Sequence, residues 1–383
     1  MAVTKLATIN QIISQVFPQE ASLIEDASQT KIQERFWLVS GNNALRWIIP
    51  QNSKYGLPIL KQWRPYGSLS NLKWRTLITL YRLGKLDKLP GVSSLGVVDG
   101  FTENWQHLGN QNQQSLVPTI YVGTPSPTRK AVAFLLDSET KKLCGVAKVP
   151  LGTKAAARII KEIDTLTCLA TEKPNLAPRK LFLSRDRGIG VQTPITGNPV
   201  AKELSTAHLE WLSRLLVPDK TTSISEQVKI LKQQLLRLTD FDLREYKIIE
   251  QEISTLNNST PLPVTWVHGD FAPWNLKWIA PQKLAVLDWE EARADGLPLQ
   301  DLFHYFYIQS YLLQPNANFL ERTFAMPSVS EHLQSWGIDW ACYLQLAKFY
   351  LVESWIRSTE KGDLDYATFA ASELSLTLKK LLL

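Results

Sequence analysis

Residues 266–305 read WVHGDFAPWNLKWIAPQKLAVLDWEEARADGLPLQDLFHY, and the fold is decided there. An apolar run ending at Val267 delivers His268, Gly269 and Asp270 to a strand end. Asn275 follows, and a second apolar run, 284–287, ends in Asp288. Two carboxylates and a carboxamide therefore emerge from short paired strands. Oxygen ligands of this kind suit Mg²⁺, which takes one or two carboxylates together with substrate phosphates and waters.

Working outward, the chain divides by pattern. Residues 1–110 read as a region of their own. It holds a helix at 4–17 closed by Pro18, strands at 36–39 and 44–49 around Gly41-Asn42-Asn43, and a helix at 72–83. Ser70 or Asn71 would cap that second helix and Gly84 would end it. The polar run 109–115 reads as a connector. Strands at 120–122, 131–136, 144–149, 181–184 and 190–193, with a helix at 152–170, describe a small antiparallel sheet. Beyond 204 helices dominate, at 204–216, 225–238, 243–256, 299–313, 341–358 and 366–382, interrupted by strands at 264–267 and 284–288. The expected class is α+β, in three parts at 1–110, 111–198 and 199–383.

The spacing His-x-Asp-x-x-x-x-Asn is that of the protein kinase catalytic loop, and an Asp closing the next strand matches the kinase metal-binding Asp. With His268-Gly269-Asp270, Asn275, Asp288-Trp289-Glu290 and the tail 296–302 in order, the segment resembles the aminoglycoside phosphotransferase and choline kinase-like family. The tail departs from the family pattern in lacking its first Asp. Over residues 111–383 the resemblance implies a two-lobed protein kinase-like fold. A small antiparallel β-rich N-lobe would precede a larger helical C-lobe, with the N-terminal α/β region as an extra. It implies ATP and Mg²⁺ as cofactors and a small-molecule hydroxyl as acceptor. Asp270 would be the base, Asn275 and Asp288 would hold Mg²⁺, and Asp301 would brace the loop. His268, also placed in the catalytic segment, would pack and hydrogen-bond behind the Asp rather than exchange protons.

The resemblance further implies a phosphate-positioning lysine, and Val146-Ala147-Lys148-Val149 resembles the kinase V-A-I-K element, with Glu162 on the next helix as its partner. An ammonium in the middle of such an apolar run is costly to bury without a partner. The loop 123–130 holds one glycine, and there Ser126, Thr128 and backbone amides are the candidate phosphate contacts. Gln192, Thr193 and Ile195 would line the nucleotide base. Walker A and G-x-S-x-G patterns are absent, which excludes a P-loop enzyme and an α/β-hydrolase elbow.

Charge and composition narrow the partners. Lys and Arg number 42 against 36 Asp and Glu, for a net charge of +6. That excess favours a neutral or anionic hydroxyl acceptor over a polycation. The HGDFxPWN wording is similar to that of family members found beside polysaccharide or cell-surface biosynthesis enzymes, which implies a sugar or cell-surface polysaccharide precursor. Candidate acids for the acceptor are Glu290, Glu291 and Asp295, and the aromatic run 303–311 offers a stacking face. Three cysteines without a CxxC pair argue against disulfide and zinc frameworks, and all three read as core. The N-terminus lacks a signal-peptide pattern, so a cytoplasmic location is expected. The small-molecule kinase reading carries no expectation of a nucleic-acid partner. The basic, aromatic helix from Lys73 to Arg82 could rest on an anionic membrane. The competing readings are a weakly active kinase-like regulatory or scaffold protein that binds nucleotide, and a nucleic-acid- or membrane-binding protein built on the basic N-terminal region.

Overall fold

In the computed structural model, residues 2–16, 21–23, 32–41, 44–63, 65, 68–98, 116–313 and 318–381 are described. Phe17, Pro18, Asn42, Asn43, His107 and the connector 109–115 lie outside them. The chain is α+β and forms two compact units. One holds Met1–Pro199 with Lys277–Pro281, and the other holds Val200–Leu276 with Gln282–Leu383.

The sheet unit is built on nine antiparallel strands: β1 Ala21–Leu23, β2 Ile32–Gly41, β3 Ala44–Pro50, β4 Val92–Val98, β5 Leu116–Val122, β6 Lys130–Asp137, β7 Leu143–Pro150, β8 Lys180–Ser184 and β9 Ile189–Gln192. Their order is β1-β4-β2-β3-β5-β6-β7-β9-β8. The expected break near residue 110 is not a structural boundary, because β3 pairs with β5, Trp47 against Tyr121 and Ile48 against Ile120. The sheet therefore extends beyond the 111–198 strands. N-terminal strands and 111–198 strands form one surface, and this unit exceeds the helical one in length.

Both faces of the sheet are covered. On one, Ile12, Ile13 and Val16 of helix Ala2–Val16 pack with Phe36, Leu38, Ile48, Ile120 and Ala133. On the other, helices Ser53–Leu60 and Ser68–Arg82 bring Ile59, Leu60, Trp74, Leu77 and Tyr81 onto Trp47 and Ile49. Trp47 is the hub, 5.4 Å from both Trp63 and Trp74 and 5.1 Å from Tyr121. The Tyr81 hydroxyl donates to the Pro50 carbonyl at 2.5 Å. The basic helix thus buries its aromatic face and leaves Lys73, Arg75 and Arg82 in solvent. It starts at Ser68, so Ser70 and Asn71 lie inside it rather than capping it. Helix Ala155–Glu172 packs against β7, β8 and β9.

In the helical unit, serine and aspartate caps set the helix starts. Ser223 and Glu226 form a reciprocal capping box at the head of helix Ile224–Leu235. Asp242 caps helix Leu243–Thr255, and Asp339 caps helix Trp340–Lys361. The last of these is buried along most of its length and forms the axis of the core, with Tyr343, Ala347, Val352 and Trp355 all within it. Lys348 on this helix pairs with Glu252 at 3.0 Å in the interior, a pair with no sequence signature. The expected helix at 204–216 is shorter, Thr206–Ser213, and 216–222 is a strand instead. That strand and Arg293–Gly296 flank Leu262–Val267 in a three-stranded antiparallel sheet, whose central strand leads directly into the HGD loop.

Candidate active site

The strand Leu262–Val267 is buried and ends at His268, whose side chain is fully enclosed. Its Nδ1 accepts the Asp270 amide at 3.2 Å, so the ring proton sits on Nε2, which donates to the Leu287 carbonyl at 2.9 Å. Trp289 packs edge-on against the ring at 4.7 Å. His268 is therefore a strut between the loop and the strand that precedes Asp288. Gly269 adopts φ +78°, and a Cβ there would come within 2.8 Å of the Glu291 carbonyl oxygen, so only glycine fits.

Asp301 opens helix Gln300–Leu312 and turns its carboxylate back to the loop. It accepts the amides of His268 at 2.7 Å and Gly269 at 2.9 Å. Asp270 keeps its side chain about a third exposed, at 35 %. Both of its oxygens are held: Asn275 Nδ2 donates to Oδ2 at 2.8 Å, and His304 Nε2 lies 3.2 Å from Oδ1. Asn275, on the short 3₁₀ turn Pro273–Asn275, also donates to the Asp270 carbonyl at 2.9 Å. The Asn275 carbonyl accepts the Leu287 amide at 2.8 Å. Residue 287 is clamped from both sides, and the next residue, Asp288, sits at φ +66° in the left-handed region. A non-glycine residue held in that conformation is a local cost that the surrounding clamps maintain.

Of the acids proposed for an acceptor, Glu291 is engaged by Arg357 at 3.0 Å and Lys361 at 2.7 Å. Arg293 pairs with Glu353 at 2.7 Å, and burial pulls its pKa down while Glu353 opposes that. In the aromatic run, Phe303, Tyr305 and Tyr307 are core, Phe306 stacks on Phe319 at 5.1 Å, and Tyr311 meets Tyr366 at 5.1 Å. Sequence reading missed Tyr350, whose hydroxyl lies 2.9 Å from His304 Nδ1 and 3.0 Å from the Tyr366 hydroxyl. Its signal was only one more aromatic on a core helix.

In the sheet unit, Lys148 on β7 and Glu162 on the following helix form a two-pronged pair at 2.6 and 2.5 Å, with side chains 7 % and 0 % exposed. The loop between β5 and β6 is pinned. Lys154 and Gly152 donate to the Pro127 and Arg129 carbonyls at 2.9 Å, and a Cβ on Gly152 would strike Pro127. Ser126 is exposed and shares a hydrogen bond with Thr128 at 3.3 Å. Gln192 is buried, and its Oε1 has no hydrogen-bond partner among the described residues. The Thr193 hydroxyl accepts the Arg179 amide at 2.8 Å, and Ile195 is half-buried. Cys168 is exposed, which corrects its assignment to the core, while Cys342 is buried and its thiol is pushed up to about 11 by desolvation. No helix among the described residues is long and apolar enough to cross a membrane.

Comparison with known proteins adds independent findings. Among solved structures, the chain is similar to choline kinase LicA from Streptococcus pneumoniae at 13 % identity, covering 73 % of this chain and 97 % of that one, with a TM-score of 0.47. It is similar to macrolide 2′-phosphotransferase type I at 14 % identity, covering 73 % and 98 %, with a TM-score of 0.47. A choline/ethanolamine kinase family protein from Mesorhizobium loti matches at 13 % identity over 68 % and 87 %, with a TM-score of 0.43. No curated protein sequence matches the chain. Residues 209–343 match the model of the phosphotransferase enzyme family (APH), and the HGD loop, the strand end at Asp288 and Asp301 all lie within the matched segment.

Proposed function

We propose that the chain is a Mg²⁺-dependent phosphotransferase that moves the γ-phosphoryl group of ATP to a hydroxyl of a small molecule. The observation that carries this reading is the state of Asp270: solvent-reachable, with both carboxylate oxygens held, on a loop whose amides Asp301 grips. Asp270 aligns the acceptor hydroxyl and takes its proton as the new P–O bond forms and the bond from the γ-phosphorus to the bridging oxygen breaks, releasing ADP. Catalysis by such a group is chiefly positioning and charge stabilisation.

The donor set suits the cation. Asn275 uses its amide nitrogen on Asp270, which leaves Oδ1 as the atom it can offer a metal, and Asp288 adds a carboxylate from a strained backbone position. Two hard oxygen donors, to be completed by water and phosphate, are the kind of set that suits Mg²⁺. Bound there, Mg²⁺ would neutralise charge on the phosphate oxygens. Lys148, fixed by Glu162, is the residue we assign to the nucleotide phosphates. The buried Gln192 Oε1 is an acceptor suited to a base amine. Ser126, Thr193 and Ile195 complete the nucleotide contacts we assign, Thr193 through its backbone carbonyl because Arg179 engages both its hydroxyl and its amide. A neutral or anionic hydroxyl compound, sugars included, is the favoured acceptor class, since Glu291 is already neutralised by two cations.

Titration of MgATP by calorimetry tests the reading before any acceptor is known. Wild type is expected to bind in a Mg²⁺-dependent manner, and Asp288→Ala to lose the metal-dependent part while remaining folded. A folded wild type that binds no nucleotide would sink the proposal.

A further inference from the structure

The phosphoryl-transfer reading needs Asp270 and its metal neighbours, but not His304, and yet His304 makes the second hydrogen bond to the Asp270 carboxylate. We propose that His304 is a positioning residue for Asp270, with its ring tautomer set by Tyr350. The inference rests on the function proposed above and deepens it.

An ionised carboxylate only accepts hydrogen bonds, so His304 Nε2, 3.2 Å from Asp270 Oδ1, must carry a proton. In the neutral ring Nδ1 is then an acceptor. The partner at Nδ1 is the Tyr350 hydroxyl at 2.9 Å, which must donate. Tyr350 in turn lies 3.0 Å from the Tyr366 hydroxyl, and with its own proton given to His304 it accepts from Tyr366. Burial raises the pKa of both tyrosines, so both remain proton donors. The result is a one-way row of donors, Tyr366 to Tyr350 to His304 to Asp270. It starts on helix Leu364–Leu381, passes through helix Trp340–Lys361 and ends on the loop carboxylate.

The consequence is geometric. Asn275 holds Oδ2 and His304 holds Oδ1, so the carboxylate plane cannot rotate. The lone pairs that remain face a fixed direction, which is what an in-line acceptor hydroxyl requires. Of the five histidines in the chain, His304 has this position because it lies one helical turn beyond Asp301, the residue that grips the loop. One helix thereby brackets the HGD loop twice, through its backbone and through its catalytic side chain.

The test has two arms. In the first, ¹⁵N-labelled wild type is examined by long-range ¹H–¹⁵N NMR, with the His304 ring assigned by its loss in His304→Gln. The expected result is the Nε2–H tautomer, becoming a mixture in Tyr350→Phe. An Nδ1–H ring in wild type, or no change in Tyr350→Phe, overturns the proposal. This arm needs no nucleotide, so it stands even if the MgATP titration removes the phosphotransferase reading. In the second arm, MgATP hydrolysis with water as acceptor is compared with calorimetric MgATP affinity. His304→Leu is expected to lower the hydrolysis rate about ten- to a hundredfold with KM for MgATP and binding affinity unchanged. His304→Gln, which keeps an N–H near the Nε2 position, should recover most of the rate. Equal rates in wild type and a folded His304→Leu, or equal losses in the Gln and Leu variants, would count against it.

Discussion

At the scale of single residues, histidines in this chain act as fixed donors and acceptors. His268 is a strut and His304 a clamp on Asp270, while His208 serves the helix start at Ser205, where its Nδ1 accepts the Ser205 amide at 3.1 Å. Desolvation lowers the His208 pKa from 6.5 to about 4. Between those values the unfolded chain binds a proton that the folded chain refuses, so stability falls as pH drops from 6.5 toward 4 and levels off below. His208→Asn keeps a side-chain acceptor and removes the titration. Unfolding free energies from urea titrations across that window should fall less steeply in the variant, the two curves diverging by about 1.4 kcal/mol per pH unit at most.

Between elements, the informative contact is the one joining β7 to helix Ala155–Glu172 through Lys148 and Glu162. A buried ion pair adds little net stability, but removing one partner costs about 3–5 kcal/mol because the other charge stays in the interior. Lys148→Met should therefore lower the unfolding midpoint sharply, and Lys148→Met with Glu162→Leu should regain most of it. MgATP affinity should stay lost in both. If the double variant recovered nucleotide binding along with stability, the pair would be a core feature without a role at the phosphates. The same logic separates this pair from Lys348 and Glu252, which are also buried, in the helical unit, and which no proposed step uses.

For the molecule as a whole, the N-terminal residues are part of the sheet that carries Lys148. Strand β5 is fully buried apart from Tyr121, and β3 covers its outer edge. A chain starting at residue 111 would expose that edge and strip Ile12, Ile13, Val16 and Trp47 from the two faces. An unpaired apolar edge is a template for association. The truncated chain is expected to aggregate on size-exclusion chromatography and to lose MgATP binding. A monomeric, folded 111–383 fragment would instead mark residues 1–110 as a separate domain.

What the sequence determined by itself was local. His268, Asp270, Asn275, Asp288 and Asp301 lie within one short stretch, and their spacing alone places them on a loop, a strand end and a helix start. The Lys148–Glu162 pair was readable through the resemblance of Val146-Ala147-Lys148-Val149 to the kinase V-A-I-K element, while the choice of Glu162 over the neighbouring Asp164 was left to the folded chain. Tertiary structure decided whatever depends on distant parts of the chain meeting. The joining of β3 to β5 across the stretch between them has no local pattern, since strand pairing is set by which edges remain to be covered. The link from Asp270 through His304 to Tyr350 and Tyr366 needs three helices packed together, and in the sequence those tyrosines look like any other core aromatics. Hydrogen bonds between distant side chains leave no periodicity, and only the folded chain brings their atoms within reach.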